Sequence, residues 1–142
     1  MAKGYSFTIT VDNTQRFLDE FDDAKEITLE AIGMHIEGEA KIELSKDPKR
    51  IDTGLLRNSI THALSGKPAA IKTYSSDDGS KSGKYSGKAP KEGDAVFIGS
   101  NVEYSAYVHE GVKGVAPNRY LKNAVENNKS QIEDIIKRYL KI

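Results

Sequence analysis

The tripeptide Asp52-Thr53-Gly54 is the one motif in this 142-residue chain that points directly to catalysis. Aspartic proteases carry their catalytic aspartate in such a tripeptide, and their reaction needs two carboxylates that share a proton. A chain of this length would supply one of the two as a homodimer. The protease also needs a buried apolar strand before the aspartate, whereas residues 46–51 read Lys-Asp-Pro-Lys-Arg-Ile. We therefore predict that Asp52 or Thr53 caps a helical turn beginning near Leu55, and we keep the homodimeric protease as an alternative.

The remaining reactive side chains do not form a catalytic or metal-binding pattern. Residues 79–84 are one residue too short for a phosphate-binding loop, and Tyr85 stands where a Ser or Thr must reach magnesium. His109 precedes a glutamate but has no second histidine four residues later, so we expect a surface pair. His35 and His62 are isolated and are expected to be packed or hydrogen-bonded. Because the chain also lacks cysteine, we predict no cofactor and no metal site, and the case for an enzyme rests on the Asp52-Thr53-Gly54 tripeptide alone.

Apolar periodicity predicts a strand followed by a long helix. Residues 5–11 alternate between apolar and polar side chains, which is typical of a half-buried strand. Residues 12–14 suit a helix N-cap, and helical spacing then continues to residue 44 or 45, before Pro48. We expect Gly33 and Gly38 to allow close approach of another backbone. The helix carries two apolar stripes, which together would lie across a sheet: Ala24, Ile27, Ala31, Met34, Gly38 and Ile42, and beside them Leu29, Ile32, Ile36, Ala40 and Leu44.

The second half of the chain predicts short strands and a final helix. Residues 60–64 and 69–74 are expected to form a hairpin, and residues 95–99 a compact apolar strand. A helical turn over 103–110 and a last helix beginning at Pro117 complete the pattern. The order of elements predicts an α+β fold, in which the long N-terminal helix and the C-terminal helix pack on a small antiparallel sheet.

Residues 75–94 are dominated by Ser, Gly, Lys and Asp. Such a composition buries too little apolar surface to offset the entropy of ordering the chain. We therefore predict a long mobile loop at 75–94, inserted in a single domain that spans residues 1–142.

The charges balance over the whole chain but not within its ends. There are 21 basic and 21 acidic residues in total. Residues 1–30 contain seven acids and three bases, whereas residues 113–142 contain seven bases and three acids. Two interpretations follow: the two ends neutralise each other within one molecule, or they meet between copies of the chain.

Two further classes of protein are a nucleic-acid-binding module and a membrane protein. A small nucleic-acid-binding module could use Lys81, Lys84, Lys88 and Lys91, although four acids in the same loop cancel their charge. No apolar run is long enough for a bilayer-spanning helix or a signal peptide, so we expect synthesis and folding in a cytoplasm and no membrane partner.

Three segments in a fixed order resemble the gene-product-ten-like tail-component family of lambdoid and related long-tailed phages. The first is residues 51–60, the second is residues 96–111 and the third is residues 116–121, before a C-terminal helix. Ile51 replaces the usual valine of the family pattern, and Asn118-Arg119-Tyr120 stands where arginine, proline and an aromatic residue are common. The residues that carry the resemblance are Asp52, Thr53, Gly54, Leu56, Arg57, Ser59, Ile60, Gly99, Tyr104, Tyr107, Val108, Gly111, Pro117, Arg119 and Leu121.

The resemblance implies a structural protein of the virion, made in the bacterial host cytoplasm. Such a protein completes the tail or neck at the head–tail junction and has no catalytic activity. Its implied partners are identical copies in a homo-oligomeric ring and the neighbouring phage connector and tail proteins. It implies no specific nucleic acid, although DNA passes through such a ring.

Overall fold

The computed structural model describes residues 3–8, 18–67, 72–85 and 93–140. These residues form helices and two small antiparallel sheets, which confirms the predicted α+β class. The elements, in chain order, are β1 (Lys3–Thr8), α1 (Leu18–Glu43), α2 (Leu55–Ser59), β2 (Thr61–Leu64), β3 (Lys72–Ser75), β4 (Ser82–Tyr85), β5 (Ala95–Ser100), α3 (Ser105–Glu110), α4 (Tyr120–Glu126) and α5 (Lys129–Leu140).

The larger sheet has the strand order β1-β5-β2, with both outer strands antiparallel to β5. Ile98 in the middle strand pairs with Tyr5 on one side and with His62 on the other. Val96 and Ile98 are completely buried. The compact apolar run predicted at 95–99 is therefore the central strand of the fold.

Only one of the two apolar stripes of α1 faces the core. Leu29, Ile32, Ile36, Ala40 and Leu44 are buried against the sheet and the C-terminal helices. Each of the Leu and Ile side chains contributes about 2 kcal/mol of hydrophobic stabilisation. Ile27, Met34 and Ile42 of the other stripe are exposed, so the predicted single broad face is wrong.

The two glycines of α1 differ in what surrounds them. A Cβ on Gly33 would lie 2.5 Å from the His62 ring, so Gly33 allows a side chain of β2 to pack against the helix. A Cβ on Gly38 would meet nothing within 4 Å. The expected close backbone approach is therefore wrong at both positions.

The predicted C-terminal helix is two helices. The last helical segment begins at Tyr120, three residues after Pro117, and is interrupted at Asn127 and Asn128. Asn128 stabilises this break because its amide donates to the Ala124 carbonyl oxygen at 2.7 Å and its Oδ1 lies 3.2 Å from His35 Nε2. The predicted start at Pro117 is wrong.

The segment predicted to be a mobile loop contains a β-hairpin. β3 pairs with β4, not with β2, so the expected hairpin between 60–64 and 69–74 is wrong. Asp78 organises the turn: its Oδ1 accepts hydrogen bonds from Ser76 and Ser80, which lower the pKa of Asp78 to about 2. The prediction that 75–94 holds no regular structure is wrong for 75–85, and residues 86–92 lie outside the described residues. Residues 9–17, which include the predicted start of the long helix, also lie outside them.

Candidate functional site

An open groove of about 370 Å³ lies between the Asp52-Thr53-Gly54 segment and α3. Residues 49–57 line one side, and Tyr104, Val108 and Lys81 also contribute to its walls. The first two segments of the family resemblance therefore face each other across this groove.

Asp52 occupies a position unlike that of a protease aspartate. Its side chain is exposed, and residues 46–54 form turns and bends instead of a buried strand. Among the described residues that line the groove, Asp52 is the only carboxylate. In a homodimeric protease the second carboxylate at this groove would be Asp52 of another copy.

Neither Asp52 nor Thr53 is the N-cap of the helical turn. The Leu55 N–H donates to Thr53 Oγ1 at 3.3 Å, while Gly54 occupies the N-cap position with φ +82°. The described part of the chain places no hydrogen bond on the Asp52 carboxylate. The prediction that Asp52 or Thr53 caps this turn is therefore wrong, because the N-cap is Gly54 and Thr53 precedes it.

The segment after the tripeptide holds the turn of the hairpin. Asn58 Nδ2 donates to Asp77 Oδ1 at 3.1 Å and to the Ser75 carbonyl at 2.8 Å, and Arg57 forms an ion pair with Asp77. The Asp77 N–H donates to the Thr53 carbonyl at 2.8 Å. Hydrogen bonds from Asn58 and Arg57 lower the pKa of the Asp77 carboxyl. Arg57 and Asn58 therefore act as an attachment point for the hairpin.

Ser59 and Ile60 tie α2 to the main sheet. The buried Ser59 hydroxyl donates to the Leu56 carbonyl and shares a hydrogen bond with Ser100 at the end of β5. The Val102 N–H donates to Ser100 Oγ at 3.1 Å. Leu56 and Ile60 both belong to the hydrophobic core. These motif residues are structural.

The second segment combines buried and exposed motif residues. Gly99 pairs with β1 and β2, and Val108 packs on the core. Tyr104 and Tyr107 project into solvent, with 41% and 61% of their surface exposed. Partial burial and the nearby Asp52 carboxylate raise the pKa of Tyr104. Gly111 ends α3 with φ +80°, where a Cβ would crowd Pro117 and the Val115 carbonyl.

Asn118, which departs from the family pattern, holds the third segment in place. Asn118 is buried, and its side-chain amide donates to the Glu43 carbonyl at 3.0 Å and to the Pro48 carbonyl at 2.9 Å. Its N–H donates to the Val108 carbonyl. Leu121 is buried in the core, whereas Pro117 and Arg119 are exposed. Asn118 thus joins the end of α1 to α3, a role that local sequence does not reveal.

The three histidines are all hydrogen-bonded, as expected for His35 and His62. His109 is not a surface residue: it is buried, its Nε2 accepts from the Lys122 N–H at 3.3 Å, and its ring meets the Tyr120 ring edge to face. The expected surface pair is wrong, although His109 Nδ1 does lie 2.8 Å from Glu110.

His62 lies between two carboxylates of α1. Its Nε2 is 2.7 Å from Glu30 Oε1 and its Nδ1 is 3.0 Å from Glu37 Oε1. Burial of the ring opposes protonation, but these hydrogen bonds outweigh it and raise the pKa of His62. Within the described ranges, no group of acidic and histidine side chains could hold a metal ion.

The phosphate-loop-like residues lie in and beside the hairpin turn. Gly79 is in the turn, and residues 82–85 form β4, so this segment does not wrap around a ligand at a helix N-terminus. No helix in the described residues is long and apolar enough to cross a membrane.

The chain matches no family model, no curated protein and no solved structure. The family resemblance accordingly stays a prediction based on the residues themselves.

The motif residues divide by what their side chains contact. Those that are buried or hydrogen-bonded connect α2, β5, α3 and α4 to one another. The exposed motif residues line the groove and present tyrosine rings to solvent. Within the described residues they do not bring an acid, a base and a nucleophile into contact.

Proposed function

We propose that this protein is a structural component of a tailed-phage virion, which completes the tail or neck at the head–tail junction as a homo-oligomeric ring. Its partners in this proposal are identical copies and the neighbouring connector and tail proteins. It has no catalytic role.

The observation that carries the proposal is the contact among the three segments of the family resemblance. Ser59 of the first segment bonds to Ser100 of the second, and Asn118 of the third bonds to Val108 of the second. The groove is bounded by Asp52 on one side and Tyr104 on another. Residues that resemble the family at separate places in the sequence thus form one continuous region, as expected if they define a common fold and surface.

The chemistry of the same region supports a structural role. Asp52 is exposed and does not follow a buried strand, and the buried Ser59 and Ser100 hydroxyls bond to main-chain groups and to each other. Nucleophilic or acid–base catalysis needs a reactive group in contact with a base or acid. The contacts of this region hold elements together instead.

The test is deletion of the gene in the phage or prophage that carries it. We expect induced lysates to contain DNA-filled heads and separate tails when viewed by electron microscopy, and joined particles to return when the gene is supplied in trans. The protein should also be present in purified virions by mass spectrometry. Normal yields of joined, infectious particles after deletion would contradict the proposal.

A matched variant separates this role from proteolysis. Asp52→Asn keeps the size of the exposed side chain and removes its charge, so it should complement the deletion as well as the wild-type gene does. Failure of Asp52→Asn, together with loss of cleavage of a virion protein, would favour the protease.

A further inference from the structure

β2 is an outer strand of the larger sheet, and its second edge has no partner strand among the described residues. The strand order is β1-β5-β2, and the next strand in the chain, β3, pairs with β4 instead. An edge of this kind presents main-chain N–H and C=O groups to which another extended segment can bond.

The register of the sheet shows which main-chain groups of β2 face outward. The Ser65 N–H donates to the Ala95 carbonyl at 2.8 Å, directly after the last pair of the ladder between β2 and β5. In an antiparallel pair, residues that bond to the neighbouring strand alternate with residues whose N–H and C=O groups point away from it. Ala63 therefore bonds to β5, whereas the N–H and C=O groups of His62 and Leu64 point away from β5. We call these outward groups the open edge of β2.

A groove of about 210 Å³ lies beside the open edge. All four residues of β2 line this groove, although side chains at alternate positions of a strand project from opposite faces of the sheet. A groove that reaches residues from both faces of a strand lies along the edge of that strand. Lys72 and Tyr85, which pair with each other in the hairpin of β3 and β4, also line the groove. The space beside β2 is therefore bounded by a second pair of strands.

Thr61 adds a buried hydroxyl group that lacks a partner. The residue is 4% exposed, and its Oγ1 forms no hydrogen bond with the described residues. A buried hydroxyl left unpaired lowers stability, and most buried polar groups in folded proteins are paired. Because Thr61 lines the groove, a segment that enters the groove can supply the missing partner.

The charged residues that line the groove already have partners within the chain. The contacts are Glu26 with Lys67, Glu30 with His62, and Lys72 with Glu37. A nucleic-acid phosphate would therefore meet no unpaired cation among the lining residues, and a charged side chain would gain little from entering. These contacts favour a ligand that is uncharged and uses its main chain for binding.

We infer that the open edge of β2 binds an extended, uncharged segment of a partner protein as an added strand. Main-chain hydrogen bonds to His62 and Leu64 supply the affinity, as in other cases where a peptide extends a sheet. Small β-branched side chains suit the added strand, because they favour extended backbone and carry no charge. The inference deepens the proposed function and rests on it only for the setting, in which the partner is a neighbouring connector or tail protein.

Amide hydrogen exchange followed by NMR tests whether the edge is open. In the free protein at low concentration, we expect the amides of His62 and Leu64 to exchange about ten-fold faster than that of Ala63, which donates to β5. Equal protection at the three positions would overturn the inference, because another part of the chain would then occupy the edge. Protection of His62 and Leu64 that appears only as the protein concentration rises would also overturn it, since the occupant would be a second copy.

The probe for binding is the capped pentapeptide acetyl-Thr-Val-Thr-Val-Thr-amide. We expect this peptide to slow exchange several-fold at His62 and Leu64 and to leave Ala63 unchanged. A control peptide with proline at both valine positions lacks two main-chain donors and should have no effect. The inference would be wrong if the first peptide gave no protection at millimolar concentration, or if the two peptides acted equally.

Thr61→Val tests the role of the buried hydroxyl. The substitution keeps the shape of the side chain and removes an unpaired polar group, so the free protein should melt at the wild-type temperature or above it. Its affinity for the pentapeptide should fall about five-fold, because the bound peptide loses one hydrogen bond. Thr73→Val, on an exposed residue of β3, is the matched control and should bind like the wild type. Equal affinity of Thr61→Val and the wild type would contradict the contact between this hydroxyl and the ligand.

These outcomes are separable from those of the phage experiment. A peptide that protects the open edge, while the phage assembles normally after deletion of the gene, would leave the inference standing and remove the proposed function. A peptide that fails to bind, while deletion separates heads from tails, would remove the inference and leave the proposed function standing.

Discussion

At the scale of single residues, Gly54 matters to the Asp52-Thr53-Gly54 segment more than Asp52 does. Gly54 has φ +82°, a conformation that is costly for a residue with a Cβ. A Cβ there would also lie 2.6 Å from the carboxyl of Asp77. Asp52 is exposed and forms no hydrogen bond with the described residues. The tripeptide that suggests catalysis in the sequence therefore forms a turn that packs closely against the hairpin of β3 and β4.

This difference predicts that alanine lowers the stability of the protein at Gly54 but not at Asp52. Gly54→Ala should reduce the free energy of unfolding by about 1 to 3 kcal/mol because of its backbone conformation, and displacement of Asp77 adds to that loss. Asp52→Ala should stay within about 0.5 kcal/mol of wild type, as usual for an exposed position. Urea denaturation measures both. Equal stability of the two variants would show that the turn does not depend on glycine.

Residue roles that depend on distant neighbours could not be predicted. The sequence correctly indicated that His35 and His62 are hydrogen-bonded, because residue type limits the roles available. It failed for His109 and Asn118, whose partners are the Lys122 amide and the carbonyls of Glu43 and Pro48. Those partners are brought close only by the packing of α1, α3 and α4.

At the scale of elements, His62 joins β2 to α1. Both ring nitrogens face carboxylate oxygens, and only an imidazolium can donate from both. Lys41 and Lys72 also approach Glu37, and Lys67 approaches Glu26 nearby. Burial of Glu37 opposes ionisation, but the hydrogen bond from His62 and the charge of Lys41 outweigh it and lower the pKa of Glu37.

The arrangement predicts that stability falls as the solution becomes alkaline. The folded-state pKa of His62 lies above its ordinary value of 6.5, so its stabilising contribution is complete below pH 6.5 and is lost as pH rises through the raised pKa. Glu37 acts in the opposite direction, because its contribution is lost as pH falls below 4.5 through its lowered pKa. Melting temperatures from pH 5 to pH 9 should decline above neutrality for wild type. The matched variant His62→Gln should show a flatter profile, and an equal decline in both would contradict this assignment.

The hairpin of β3 and β4 predicts a local effect of Asp77. Asp77→Ala removes the acceptor for Arg57 and Asn58, so the hairpin should open more often. Amides of residues 72–85 should then exchange with deuterium several-fold faster, while amides in the middle of α1 keep their protection. Thr73→Ala, on an exposed residue of the same hairpin, is the control. Unchanged exchange in Asp77→Ala would show that strand pairing alone holds the hairpin.

Elements with strong apolar patterns were predicted, and the polar hairpin was not. The periodicity of α1 and the run at β5 reflect burial, which a sequence displays directly. The hairpin is held by main-chain pairing and by Asp77 and Asp78, so its composition resembles that of a loop. Strand order was also missed, because β2 pairs with β5, more than thirty residues away, and not with β3, the next strand in the chain.

At the scale of the whole molecule, the charge separation between the two ends is not cancelled by ion pairs inside the described residues. The bases of residues 113–140 form no ion pair with α1, whose carboxylates contact Lys25, Lys41, Lys46, Lys67, Lys72 and His62 instead. One interpretation of this separation is that the two charged ends meet between copies of the chain. That interpretation makes a measurable prediction.

Association between copies should weaken, without disappearing, as salt is added. The Debye length falls from about 10 Å in 0.1 M salt to about 3 Å in 1 M salt, so exposed pairs between the acidic end of one copy and the basic end of another are screened. Each such pair contributes only about 0.2 to 1 kcal/mol, whereas apolar parts of a contact are not screened. Sedimentation in increasing NaCl should therefore show a several-fold rise in the dissociation constant. Lys137→Gln, in the basic end, should reduce this salt dependence, and Thr73→Gln on β3 should leave it at the wild-type value. A dissociation constant that does not change with salt would show that the two charged ends do not meet between copies.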